Sequence, residues 1–137
     1  VLNRERIDIA YVPSDVTLCA WKREGTGFQT GGNIMFGVIE NIGDSAFTLA
    51  CQSSSDNNAT DTYTAVNMRI NGASVTSVSI PAKSRLEFVI EYQTAFKTEP
   101  YIRFTRGASD TPRARMDIFY SGNGGNVLVR RDLINTP

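Results

Sequence analysis

Glu87 and Glu91 are the carboxylates whose spacing first invites a chemical reading, because two acids flanking a glycosidic bond suffice to hydrolyse it. They stand four residues apart on one face of the same alternating run, about 13 Å apart along an extended chain. That exceeds the separation an inverting pair uses, and a solvated sheet face accounts for both residues. Histidine is absent from all 137 residues, which removes the commonest general base near neutral pH and the usual zinc ligand. Ser–His–Asp and Cys–His arrangements are impossible within the chain. Gly25, Gly27, Gly31 and Gly32 match neither phosphate-cradling pattern in its strand-to-helix setting, and their spacing suits a flexible loop. No catalytic residue and no cofactor is expected, so the chain reads as non-enzymatic.

Other residue types offer binding rather than turnover. Asp56 and Asp61, with Asn57, Asn58 and nearby hydroxyls, supply hard oxygen ligands but not the spacing of the known calcium loop. No metal is expected, and these two acids are the residues that would hold one. Asn58-Ala59-Thr60 fits the N-glycosylation pattern. Trp21, Tyr63, Tyr92, Tyr101 and Tyr120 are candidate sugar-stacking or interface aromatics, since each joins a large apolar ring to a polar handle. Arg103, Arg106, Arg113 and Arg115 bracket one loop, and Arg130 and Arg131 lie near the C terminus. Clustered, they would bind phosphates or a neighbouring subunit's carboxylates, with Asp110 and Asp117 close enough in sequence to neutralise part of the patch. Cys19 and Cys51 each lie in an apolar segment, where they form either a cross-sheet disulfide or two buried free thiols.

The elements that must position these residues are short strands. Runs of about 4–9 residues alternate apolar and polar side chains, and a period of two sends successive side chains to opposite faces. Leu86, Phe88, Ile90 and Tyr92 interleave with Glu87, Val89 and Glu91, while Met116, Ile118 and Tyr120 interleave with Asp117 and Phe119. Phe47, Leu49 and Cys51 share a face, as do Val66, Met68 and Ile70. Between Val16 and Trp21, either the even or the odd positions face inward. Asn41-Ile42-Gly43-Asp44 reads as a tight reversal, and Asn71-Gly72 is the strongest hairpin signal because both residues tolerate positive φ. The segment Gln93 to Pro100 is less regular, with room for a helical turn or a crossover. The expectation is an all-β antiparallel sandwich, jelly-roll or immunoglobulin-like, of about 8–10 strands in a single domain over residues 1–137. Its terminal segments are candidates for pairing with neighbouring subunits.

Composition bounds the partners. The chain carries 14 basic and 14 acidic residues, so no global field draws a polyanion, and nucleic acid is not an expected partner. The charge is uneven, with four basic and eight acidic residues in 1–68 against ten and six in 69–137. Eleven of the basic residues are arginine, whose planar fork suits fixed pairing with carboxylates. Apolar stretches are only a few residues long, far short of the roughly 20 needed to cross a bilayer, so no membrane partner is expected. The chain begins at Val1, which leaves processing from a longer precursor open.

Three stretches carry a resemblance: the strand ending in Asn41-Ile42-Gly43-Asp44, the segment Val78-Ser79-Ile80-Pro81-Ala82-Lys83-Ser84-Arg85, and Tyr101-Ile102-Arg103-Phe104 followed by Arg115-Met116-Asp117-Ile118. Over roughly residues 34–120 the chain resembles small β-sandwich structural proteins of tailed-phage virions, of the head-decoration or tail-accessory type. The resemblance implies a virion component that oligomerises or docks on a symmetric shell, with itself and a capsid or other virion protein as partners. The alternative, suggested by the aromatics and the Asx-rich loop, is a carbohydrate-binding module with a glycan as ligand.

Overall fold

A computed structural model describes residues 2–9, 16–24, 35–54, 63–90, 101–121 and 127–131. These form twelve strands, β1 (Leu2–Ile9), β2 (Thr17–Glu24), β3 (Met35–Asn41), β4 (Phe47–Ser54), β5 (Tyr63–Ala65), β6 (Met68–Ile70), β7 (Ala73–Val75), β8 (Ser77–Ile80), β9 (Arg85–Ile90), β10 (Tyr101–Thr105), β11 (Ala114–Ser121) and β12 (Val127–Arg131). The described residues contain no helix. One sheet runs β1-β11-β3-β9-β6-β7 and the other β12-β2-β10-β4-β5, with β8 also on β4. Every pairing is antiparallel.

The pairs nest. β1 pairs β11, β2 pairs β10, β3 pairs β9 and β4 pairs β8, while β11–β3 and β10–β4 join the turns of the coil. A long double strand wound up in this way is a jelly roll; the immunoglobulin order does not nest. Of the two sandwich types expected, the topology is therefore the first.

The twelve strands exceed the expected 8–10 because two runs change sheets midway. The run from Tyr63 to Ile70 stays on β4 through Val66, whose N–H donates to Cys51 O at 2.9 Å, and joins the other sheet at Met68. The chain returns at Thr76, between β7 and β8. Asn71 and Gly72, with φ of 49° and 83°, close the β6–β7 hairpin as expected.

Asn41 to Asp44 corrects a second expectation. It is no hairpin but a corner that carries the chain from β3 in one sheet to β4 in the other. Asn41 is completely buried there. Its amide donates to Ser45 O (2.9 Å) and Ile80 O (3.0 Å), its side-chain oxygen accepts the Gly43 N–H (3.0 Å), and its backbone N–H donates to Ser84 O (2.8 Å). A buried amide is tolerated only when so satisfied, and Asn41 ties its own corner to the turn between β8 and β9.

The core lies between the sheets. Ile39, Phe88, Met68, Met116 and Ile118 from one meet Phe47, Leu49, Cys51, Ile102 and Phe104 from the other, all buried. The rings of Phe88 and Phe104 pack edge to face at 5.5 Å. Alternation predicts these faces correctly except where β2 meets β10, at Phe104 and Thr105, which are consecutive and both buried, and on the strand opposite them. Thr17 and Leu18 are consecutive and both buried, because Thr105 faces Thr17 while Phe104 faces Cys19. Leu18 is the extra residue of a bulge, which is why neither simple phase of this run holds.

Candidate functional site

The outward side chains of the first sheet form a grid, because its strands are paired in register. One row across the strands is Asp8, Arg115, Glu40 and Arg85; the next is Arg6, Asp117, Val38 and Glu87; the third is Arg4, Phe119, Phe36, Val89 and Arg69. Each stands outward because its strand neighbours, such as Ile39, Phe88, Met116 and Ile118, are buried. The first row alternates in charge. The third is apolar at its centre and basic at both ends.

Local contacts hold the grid. The Phe36 and Phe119 rings stack at 4.9 Å and 13°, and Val89 beside them is 46% exposed. Asp117 Oδ1 accepts from Arg4 Nε and Nη2, both at 3.2 Å, and lies 3.6 Å from Arg6 Nε. Arg115 Nε lies 3.8 Å from Asp8 Oδ1, and Arg85 Nη1 lies 3.6 Å from Glu87 Oε2. The arginine and outer carboxylate partners are at least half exposed, so each pair contributes little to folding. Their charges remain available to a partner. Hollows of about 510 and 290 Å³ open on this face. The face thus combines opposed charges with an apolar centre, and its nearly balanced charge gives a polyanion little to hold.

Arg103, Arg106, Arg113 and Arg115, which bracket one loop in the sequence, are not brought together. Arg103 is on β10 in the second sheet, where its Nε donates to Gln52 Oε1 (2.7 Å) and its guanidinium lies 3.7 Å over the Tyr63 ring. Arg106 is buried, and its Nη1 donates to the carbonyls of Gly107, Ala108 and Asp110 at 3.0–3.2 Å. It clamps its own loop. Asp110 completes that loop by accepting the N–H of Gly107 (2.9 Å) and of Thr48 (2.8 Å), so it anchors β4. Arg113 is exposed, and its backbone carbonyl accepts the N–H groups of Ile42 (2.9 Å) and Gly43 (3.1 Å). Arg115 alone of the four belongs to the grid.

Among the candidate aromatics, Tyr63 has one ring face covered by Arg103, which leaves that face closed to a sugar. Trp21 pairs with Ile102 and Arg130, Tyr101 with Lys22, Tyr120 with Asn3 and Met35, and Arg131 with Ala20 in the backbone register; their side chains, with Tyr92, Glu91, Asp56, Asp61, Asn58, the glycine-rich stretch 25–33 and the segment 93–100, lie outside the described residues. Cys51 is a buried free thiol, and burial pushes its pKa well above the usual value of 9.0. Cys19 and Cys51 both pair with Phe104, from opposite sides of β10. They are two strand spacings apart in one sheet, roughly 9–10 Å, beyond the reach of a disulfide. The cross-sheet bridge is thereby corrected.

The residues that reading by sequence proximity missed are Phe36, Val38, Phe119, Val89, Arg4, Arg6, Asp8, Glu40, Arg69 and Arg85. Their signal was present in part: Phe119 and Val89 are apolar at outward positions of runs whose inward positions are already filled by Met116, Ile118, Phe88 and Ile90. No group of three or more metal-ligating side chains occurs among the described residues, and no helix there is long and apolar enough to cross a membrane. No protein-family model, curated protein or solved structure matches this chain.

Proposed function

We propose that this protein is a non-enzymatic structural component that acts by self-association, on the surface of a virion such as a tailed phage. The observation that carries the reading is the ordered outer face of the first sheet, where a stacked Phe36–Phe119 pair and Val89 lie beside rows of opposed charge. Half-buried aromatic rings beside exposed arginine side chains are the composition of protein contacts. The jelly-roll topology supports the reading as architecture, since viral capsid domains share it; lectin domains and cupins share it too, so the fold alone does not choose.

Light scattering across a concentration series, with electron microscopy of the purified protein and of particles, tests the proposal. Concentration-dependent assemblies or a particle-bound form are the expected result. Monomers at every concentration with no particle-bound form would overturn it. Glycan-array binding abolished by Trp21→Ala or Tyr101→Ala would instead establish a carbohydrate-binding module. Turnover of a glycan or ester that disappears when one carboxylate is replaced would make the protein a hydrolase.

A further inference from the structure

We infer that the outer face of the first sheet docks on the same face of a second copy, across a two-fold axis parallel to the strands and lying between β11 and β3. The inference rests on the self-association proposed above and names its contact. Such an axis exchanges β1 with β9 and β11 with β3 while keeping each row at its own level. In the first row Asp8 then meets Arg85 of the second copy, and Arg115 meets its Glu40. In the second row Arg6 meets Glu87 and Asp117 lies over Val38. In the third row Phe119 meets Phe36 and Arg4 lies over Val89. Opposite charges meet in the first two rows, aromatic rings meet in the third, and no two like charges face each other.

A face-to-face axis running across the strands through the middle row fails this test. It would set Arg6 on Arg6, Asp117 on Asp117 and Glu87 on Glu87, and like charges in contact are costly. Across the axis between β11 and β3 all three rows are self-complementary over four strands, as an isologous interface requires. The intramolecular ion pairs do not prevent the docking: Arg6, Arg85, Arg115, Asp8 and Glu87 are at least half exposed and re-partner at little cost, while Asp117, 21% exposed, keeps Arg4.

The four strands over five residues cover roughly 300 Å² per copy, from strand spacing and rise. A stable dimer uses roughly 800 Å² per partner. The contact is therefore weak alone and gains strength where other contacts already array the copies.

Arg115→Glu and Glu40→Arg test it by mixing, read by sedimentation equilibrium at high concentration. Each variant alone repels its own copy twice, and its self-association is expected to weaken at least about tenfold. In a one-to-one mixture the two substituted side chains attract each other across the interface. The native Glu40 of one variant meets the native Arg115 of the other, so association returns. Thermal unfolding of each variant verifies that both remain folded. A wild type that associates while the variants are unaffected, or while the mixture does not recover, overturns this interface and leaves self-association standing. A wild type that is monomeric throughout overturns this interface, and if it also has no particle-bound form it overturns the self-association reading as well.

Discussion

A Cβ added to Gly37 would lie 2.4 Å from Cζ of Phe88 and 2.9 Å from Cδ1 of Ile118. Gly37 faces Phe88 across the β3–β9 ladder, and its missing side chain is the space that the ring occupies. Phe88 in turn reaches Phe104 in the opposite sheet, so the glycine sets how the two layers meet.

Gly37→Ala is therefore expected to destabilise the fold by about 1–3 kcal/mol, the usual cost of overpacking a filled core. Denaturant unfolding of the two proteins measures it. Phe88→Leu combined with Gly37→Ala frees part of the space and is expected to recover some of the loss, so the double variant should be less impaired than the sum of the two singles. Strict additivity would count against a steric cause.

The strands were largely legible in the sequence because their faces are a local property. Phe47, Leu49 and Cys51 are buried together, as are Val66, Met68 and Ile70, and a period of two is enough to group them. Alternation does not say which sheet a face belongs to. The corner at Asn41, the crossings at Val66 and Thr76, and the bulge at Leu18 all depend on partners distant in sequence. The grid was illegible for the same reason: Arg4 and Asp117 hydrogen-bond across 113 positions, and only register brings them together. The arginines from 103 to 115 mislead in the opposite sense, since neighbours in sequence went to different sheets and one became buried.

Asn41→Ala removes an amide that two carbonyls and one N–H all require. Each buried polar group left unpaired costs about 1–3 kcal/mol, and a water in the vacated space offsets part of the total. A net loss of about 2–4 kcal/mol is expected from equilibrium unfolding. The β3–β4 corner should also exchange its amide protons faster than the centre of β3. A change below roughly half a kcal/mol would contradict the role assigned to this residue.

Cys51 makes stability depend on pH at the alkaline end. The folded state holds the thiol proton because burial raises its pKa above the ordinary value of 9.0, whereas the unfolded chain releases it near that value. Its contribution is thus fully present below about pH 8.5 and declines above it, by at most about 1.4 kcal/mol per pH unit. Unfolding curves at several alkaline pH values should diverge between wild type and Cys51→Val, the variant losing less as pH rises. In the native state the thiol should resist alkylation until the protein unfolds. Rapid labelling of the folded protein at Cys51 would refute the assigned burial.

Arg103 and Tyr63 offer a separable energetic test on the second sheet. The guanidinium lies 3.7 Å from the ring centroid, and its Nε is also held by Gln52. A double-mutant cycle with Arg103→Met and Tyr63→Leu should give a coupling of about 0.5–1 kcal/mol, as expected for a partly exposed cation–π pair. A coupling indistinguishable from zero would mean that the stacking contributes nothing beyond packing.

Ionic strength distinguishes the proposed contact from purely apolar association. Contacts such as Arg115 with Glu40 of a second copy act through charges that are substantially exposed in the free protein. Raising the salt from about 0.01 M to about 1 M shortens the screening length from roughly 30 Å to roughly 3 Å. Self-association through the grid should weaken across that range, while the unfolding midpoint changes little because the core is apolar. Phe36→Ser in the third row should weaken association at every salt concentration without flattening the salt dependence, since the charged rows remain. Association that strengthened with salt would assign the contact to apolar surface alone and remove the charged rows from it.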